Sequence, residues 1–138
     1  MPRRPMTESI PFRNDIPFIK DLGLELISAE DGRAVVALTL APRHLNSWSV
    51  VHGGVLMTML DMAMAVAGRS LDAAAGGGVT VEMKTSFLQP ANAAGRLLAS
   101  AQLLHRTRTM SFCDAEVRDA DQRLIAKAMG TFKYKKLG

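Results

Sequence analysis

Residues 55–67 carry a single charge, Asp61, in a stretch bracketed by Gly53-Gly54 and Gly68. Thirteen residues rich in Ala, Met and Leu predict a helix rather than a strand. Val55, Leu56, Met57, Met59, Leu60, Met62, Ala63, Met64 and Val66 set apolar groups on every side of that helix. A helix with no polar face cannot lie on a surface, so the rest of the chain must cover it. The uncharged run 55–60 is far too short to cross a bilayer, which sets the protein apart from membrane proteins.

The remaining segments read as strands and turns. Residues 16–23 suggest one or two helical turns closed by Gly23. A strand over 24–28 follows. Glu30-Asp31-Gly32-Arg33 is a turn, and Ala34, Val36, Leu38 and Leu40 alternate as a second strand that pairs back in a hairpin. Pro42 ends it, and 43–51 is an irregular loop. After the helix, residues 73–78 form a small-residue loop. Four strand-like runs then follow: 79–87, 96–106, 110–118 and 123–132. These four predict an antiparallel meander. Two strands, one buried helix and four strands form an α+β chain whose curved antiparallel sheet must wrap the long central helix, the hotdog fold. Residues 1–14 hold three of the six prolines and should form a flexible N-terminal segment. Residues 15–138 then form a single domain.

Composition removes several functions. The chain has 17 Lys and Arg against 13 Asp and Glu, a net charge of +4 that favours an anionic ligand. The basic residues are scattered and aromatics are few, which argues against nucleic acid. Arg3-Arg4 is followed by no apolar h-region, so a secretory signal is not expected. Cys113 is the only cysteine, so neither an internal disulfide nor a cysteine-based metal site is expected. A cytoplasmic location fits that usage.

Asp61 sits two turns into the helix, too deep to cap it. Burying a carboxylate is costly without compensation, roughly several kcal/mol. Either an Arg or backbone N–H groups satisfy it, or its charge is kept for reactivity as a general base or nucleophile. His52-Gly53-Gly54 stands at the helix start, where exposed N–H groups meet the positive end of the helix dipole. Such donors can polarise a carbonyl and hold the oxyanion that forms on attack. The glycines can equally serve close packing. Gly53 and Asp61 are eight residues apart, about 12 Å along a helix. A base and an oxyanion donor acting on one carbonyl must both lie within a few Å of it. One chain therefore cannot supply both, but two protomers related by a two-fold axis can.

These residues resemble the PaaI-like acyl-CoA thioesterases of the hotdog superfamily. The likeness is strongest over 46–61, in Val51-His52-Gly53-Gly54-Val55 and Leu60-Asp61. Val79-Thr80-Val81-Glu82-Met83, Phe87-Leu88-Gln89-Pro90-Ala91 and the final strand, 126–132, are also similar. The resemblance implies that Asp61 activates water or attacks the thioester and that the Gly53 N–H polarises its carbonyl. It implies that His52 and Asn46 position that turn and the substrate, and that Thr80 helps orient the attacking water. Acyl-CoA is the implied substrate, with no separate cofactor and no metal. Homodimers with sites shared between protomers, often paired into dimers of dimers, are implied as well. Gly54, Val55, Arg106 and Arg108 are the expected substrate contacts, the two arginines flanking a hairpin tip that could meet CoA phosphates. Ser49 stands where the family commonly has Gly, Gln89 replaces a frequently basic residue, and Thr107 a frequent Gly.

Two other functions remain open from sequence. A hydratase or dehydratase of acyl thioesters would pair His52 with a carboxylate such as Asp61. A non-catalytic acyl-CoA binder would keep the pocket alone. Met57, Met59, Met62 and Met64 suit a core or an adaptable acyl pocket. His44, His105 and Cys113 read as structural.

Overall fold

A computed structural model describes residues 8–72 and 77–134. Helix α1 (Pro17–Leu22) starts with Pro17 and ends at Gly23, whose φ of 85° turns the chain out of the helix. Strands β1 (Glu25–Glu30) and β2 (Arg33–Thr39) pair through Asp31 and Gly32, with φ 52° and 78°. Two consecutive left-handed residues make the type I′ turn that matches strand twist, which is why Asp-Gly stands there. A 3-10 turn (Pro42–His44) opens the loop to helix α2 (Gly53–Arg69). Strands β3 (Gly78–Phe87), β4 (Arg96–Arg106), β5 (Met110–Arg118) and β6 (Leu124–Tyr134) complete the chain.

The six strands form one antiparallel sheet in the order β1-β2-β4-β5-β6-β3. This is the hotdog architecture: α2 lies in the hollow of the sheet. The expected four-strand meander is corrected to three strands, β4-β5-β6. β3 pairs with β6 at the far edge, and β4 fills the place beside β2. Alternation identifies a strand but not its neighbour, because pairing depends on where α2 delivers the chain. α2 crosses the hollow and sets β3 down on the opposite edge from β1.

Inward residues Val36, Leu38, Leu97, Ala99, Cys113, Ala115, Val117, Ala126, Ala128 and Phe132 meet Leu56, Met59, Leu60, Ala63, Met64 and Ala67 of α2. Alanines on the central strands let the helix lie close to the sheet. The helix is not covered on every side, as its sequence suggested. Met57, Thr58, Asp61 and Ala65 form a stripe left partly open. β3 is also largely bare, with Val79 65% and Val81 55% exposed. The predicted 1–14 segment lies in part outside the described residues. Within them, the Ile10 N–H donates to Leu26 O at 2.7 Å, which ties residue 10 to β1. Of the loop predicted over 73–78, residues 73–76 lie outside the description. No helix of the described residues is long and apolar enough to cross a membrane.

Candidate active site

Asp61 reaches the open stripe of α2, where it lines a shallow cleft of about 360 Å³. The other walls are Ile16, Phe18 and Ile19 from the α1 region, Met57, Thr58 and Met62 from α2, and Met83 from β3. Among the described residues Asp61 has no ionic partner. The Thr80 hydroxyl, on β3, donates to its Oδ1 at 2.5 Å. Its Oδ2 has no hydrogen-bond partner among the described residues. Burial raises the Asp61 pKa above the ordinary 3.8, and the Thr80 hydrogen bond opposes that rise. The carboxylate is therefore a stronger base than a solvated aspartate, and one of its oxygens is available.

The His52 turn is built by the loop before it. Asn46 Oδ1 accepts from the backbone N–H of Trp48 at 2.9 Å and of Val50 at 3.3 Å. Ser49 adopts φ 59°, the left-handed conformation that glycine adopts without steric cost. The His52 N–H donates to His44 O at 2.8 Å. His44 is itself fully buried: its Nδ1 accepts from the Ala41 N–H at 3.0 Å, and its Nε2 donates to Leu22 O at 2.7 Å. It is structural, as its sequence context suggested.

Three amides open α2, and the fold uses two of them. The Gly54 N–H donates to His52 Nδ1 at 2.8 Å, a side-chain N-cap. The His52 ring lies so close that a Cβ on residue 54 would stand 3.0 Å from Nδ1. The Val55 N–H donates to His52 O at 2.9 Å, and its side chain is core. Gly54 and Val55, expected to contact substrate, are thus both engaged by His52. No described residue accepts from the Gly53 N–H. Phe87, at the end of β3, packs on this turn: its ring would touch a methyl on residue 53 at 3.5 Å. Phe87 and Phe18 were not singled out from sequence. Their signal was positional, an aromatic at a strand end and another on a short exposed helix.

A carboxylate made basic by burial and a helix-start amide with no acceptor are two parts of acyl-transfer chemistry. The family model of the Thioesterase superfamily matches residues 49–126, the segment that holds both.

The chain belongs to the thioesterase superfamily.

The acyl-coenzyme A thioesterase PaaI of Escherichia coli K12 is 34% identical over 111 residues, covering 80% of this chain and 77% of that protein. Among solved structures, the E. coli PaaI protein superposes with a TM-score of 0.81 at 30% identity, over 88% of this chain and 86% of that one. A conserved protein of Pseudomonas aeruginosa superposes equally well, TM-score 0.81 at 33% identity, over 88% and 95%. Membership makes this chain a thioester hydrolase of the PaaI-like group with the hotdog fold.

In this thioesterase the two hairpin arginines differ. Arg106 is committed within the fold: Nε donates to Gly68 O at 3.0 Å, Nη1 donates to the Thr107 and Met110 carbonyls, and the guanidinium lies 4.5 Å over the Tyr134 ring. These bonds use Nε and Nη1 and tie the guanidinium to the end of α2 and to the hairpin. Arg108 is exposed, with no hydrogen bond among the described residues. The methionines also divide. Met59 and Met64 are fully buried core, Met62 faces the cleft from a buried position, and Met57 is 38% exposed on the cleft wall. Cys113 is buried, and burial pushes its thiol up to about 11, so it stays protonated and inert.

Proposed function

We propose that the protein hydrolyses acyl-CoA thioesters to a free acid and CoA, with Asp61 as the catalytic carboxylate. The observation that carries this reading is Asp61 itself: unpaired by any cation, raised in pKa and open at Oδ2 to an apolar cleft. As general base, Oδ2 takes a proton from water while the water oxygen attacks the carbonyl carbon. The Thr80 hydroxyl gives its one proton to Oδ1 and keeps lone pairs that can hold the same water. Collapse of the tetrahedral oxyanion expels the CoA thiolate, which recovers the proton from Asp61. As nucleophile, Asp61 would form an acyl anhydride that water then opens. Both routes need a donor for the oxyanion, and the Gly53 N–H is the candidate.

That donor lies eight residues from Asp61, about 12 Å along α2, so it must come from a second protomer. The bare β3 edge supports such a homodimer. A ten-residue edge strand with exposed valines is an unstable surface unless it is paired. Pairing β3 with its copy, antiparallel about the strand midpoint, sets Gly78 of one protomer opposite Phe87 of the other. Phe87 touches the Gly53 turn and Thr80 touches Asp61, so the two halves of each site would meet across the axis. Further pairing of dimers and a cytoplasmic location belong to the same reading.

The hydratase alternative needs His52 and a carboxylate as partners. Here His52 Nδ1 accepts from the Gly54 N–H and Asp61 Oδ1 accepts from Thr80, and no hydrogen bond joins His52 to Asp61 among the described residues. The deciding assay measures thiol release across a panel of aromatic, short and medium aliphatic acyl-CoAs. Thiol release with at least one of them is expected. Hydration of an enoyl-CoA with no thiol release, or tight binding with no turnover, would overturn the proposal.

A further inference from the structure

Two buried polar atoms have no hydrogen-bond partner among the described residues, Arg96 Nε and Thr85 Oγ1. Arg96 opens β4, and its Nη2 meets Glu25 Oε2 at 3.9 Å, so a charge already answers that guanidinium. Thr85 stands on β3, and the register with β6 fixes its face. Thr80, Met83, Thr85 and Phe87 lie opposite Phe132, Gly130, Ala128 and Ala126. Phe132, Ala128 and Ala126 belong to the core and Gly130 faces Met64 of α2, so these β3 side chains point inward. The extra residue Val81, skipped by the pairing, lets Thr80 share that face with the odd-numbered positions. The neighbours of Thr85 on the inward face, Met83, Phe87 and Ala128, are apolar. A hydroxyl taken out of water with no partner is unfavourable, and one protomer supplies it with none.

The β3–β3 pairing proposed above sets Gly78 of one protomer opposite Phe87 of the other. Two residues inward from Gly78 is Thr80, and two inward from Phe87 is Thr85. Thr85 of one protomer therefore stands opposite Thr80 of the other. Opposed residues of antiparallel strands share a face, with Cβ atoms about 4.5–5.5 Å apart, and threonine pairs in that position hydrogen-bond. Thr80 spends its one proton on Asp61 Oδ1 and keeps two lone pairs. One can hold the attacking water; the other can accept from Thr85. We infer that Thr85 is a positioning residue across the dimer axis: its hydroxyl donates to Thr80 of the opposite protomer, and that Thr80 donates to Asp61. This inference rests on the composite-site reading above. The chain of donors fixes the rotamer of Thr80, keeps its proton on Asp61 and aims its remaining lone pair at the water. Each site then draws Asp61 and Thr80 from one chain and Gly53 and Thr85 from the other.

Steady-state turnover of an acyl-CoA by the full chain tests the contact. Thr85→Val keeps the shape and removes the hydroxyl. It should lower kcat by about 3–10-fold, what one neutral hydrogen bond is worth, with KM nearly unchanged. Thr85→Ser should restore kcat; a serine variant as slow as the valine one would make the shape of the side chain, not its hydroxyl, responsible. Should the valine variant not fold, Thr85→Ala is compared with Thr85→Ser in the same way. Hybrid dimers then decide which chain Thr85 serves. In a mixture of Asp61→Asn and Gly53→Pro chains, the working site takes Asp61 and Thr80 from the Gly53→Pro chain and Gly53 from the Asp61→Asn chain. Thr85→Val added to the Asp61→Asn chain should lower the recovered activity by the same factor as in the parent dimer. Added to the Gly53→Pro chain, it should leave the recovered activity as it was. Equal losses from both placements would mark a structural residue, and a loss only from the second would keep Thr85 within its own protomer; either ends the inference. Mixtures that recover activity and ignore Thr85→Val in both placements would overturn this contact alone. Mixtures without Thr85→Val that recover none, despite proven subunit exchange, would overturn the composite site and this contact with it.

Discussion

The two halves of α2 handle their polar groups in opposite ways. Toward its C-terminal end, Arg106 closes on Gly68 O, Tyr134 Oη donates to Ala65 O at 3.1 Å and bonds Ser111, and Cys113 leans on Met64 O. In the N-terminal half, the Gly53 N–H and Asp61 Oδ2 have no partner among the described residues. Both ends belong to one helix in one hollow, so the difference is not one of burial alone. Satisfied groups hold the helix in place; unsatisfied ones on an open stripe can act on a substrate.

Substitutions should therefore separate activity from stability along the helix. The largest effect is expected from Asp61→Asn, which should lower kcat by about 10²–10⁴, the range for a general base. Its stability should not fall at neutral pH. A carboxylate whose folded pKa is raised binds its proton more tightly when folded, so the ionised form opposes folding and stability grows as pH drops through that pKa. Near-normal turnover in Asp61→Asn would erase the contrast between the halves.

Gly53→Pro should lower kcat by about 10²–10³, the cost of one oxyanion donor. Proline suits the first helical position, and His52 before it is extended at φ −62° and ψ 134°, as a residue preceding proline must be. Mixing this variant with Asp61→Asn should restore part of the activity through hybrid dimers. No recovery after demonstrated subunit exchange would place each site within one chain.

A smaller effect is expected from Thr80→Val. The Thr80 hydrogen bond lowers the Asp61 pKa, so its loss should move the acid limb of the kcat/KM profile to higher pH. In wild type that limb should already lie above 3.8. An unmoved limb would detach Thr80 from the chemistry.

In the C-terminal half, Arg106→Ala should lower stability by about 1–3 kcal/mol through unsatisfied carbonyls, with kcat per folded molecule unchanged. Chemical denaturation reads the first, active-site-normalised turnover the second. Smallest of all, Arg108→Ala should raise KM a few-fold, about what one exposed charge contributes. The rise should be confined to CoA esters and absent with a short thioester that lacks the nucleotide. Equal changes for both would leave Arg108 outside substrate binding.

Much of this was legible before any coordinates. A single acid in thirteen otherwise uncharged residues marked Asp61, because burying a carboxylate requires a reason. Strand alternation delimited β4 and β5 to the residue, and Asp31-Gly32 declared its hairpin. The family resemblance implied that Asn46 and His52 hold the turn before α2, and both side chains accept backbone N–H bonds there.

Other features were not local and could not be read in that way. Pairing order was set by where α2 released the chain, so β3 went to the far edge. Arg106 is tied to the end of α2 because Gly68 O, 38 residues away in sequence, comes within reach of its Nε. The Gly53 amide became the spare donor only once His52 had turned its ring onto Gly54. Periodicity and composition record what each residue prefers to contact. Which donor meets which acceptor, and which of them is left over, depends on distances that exist only after the chain has folded.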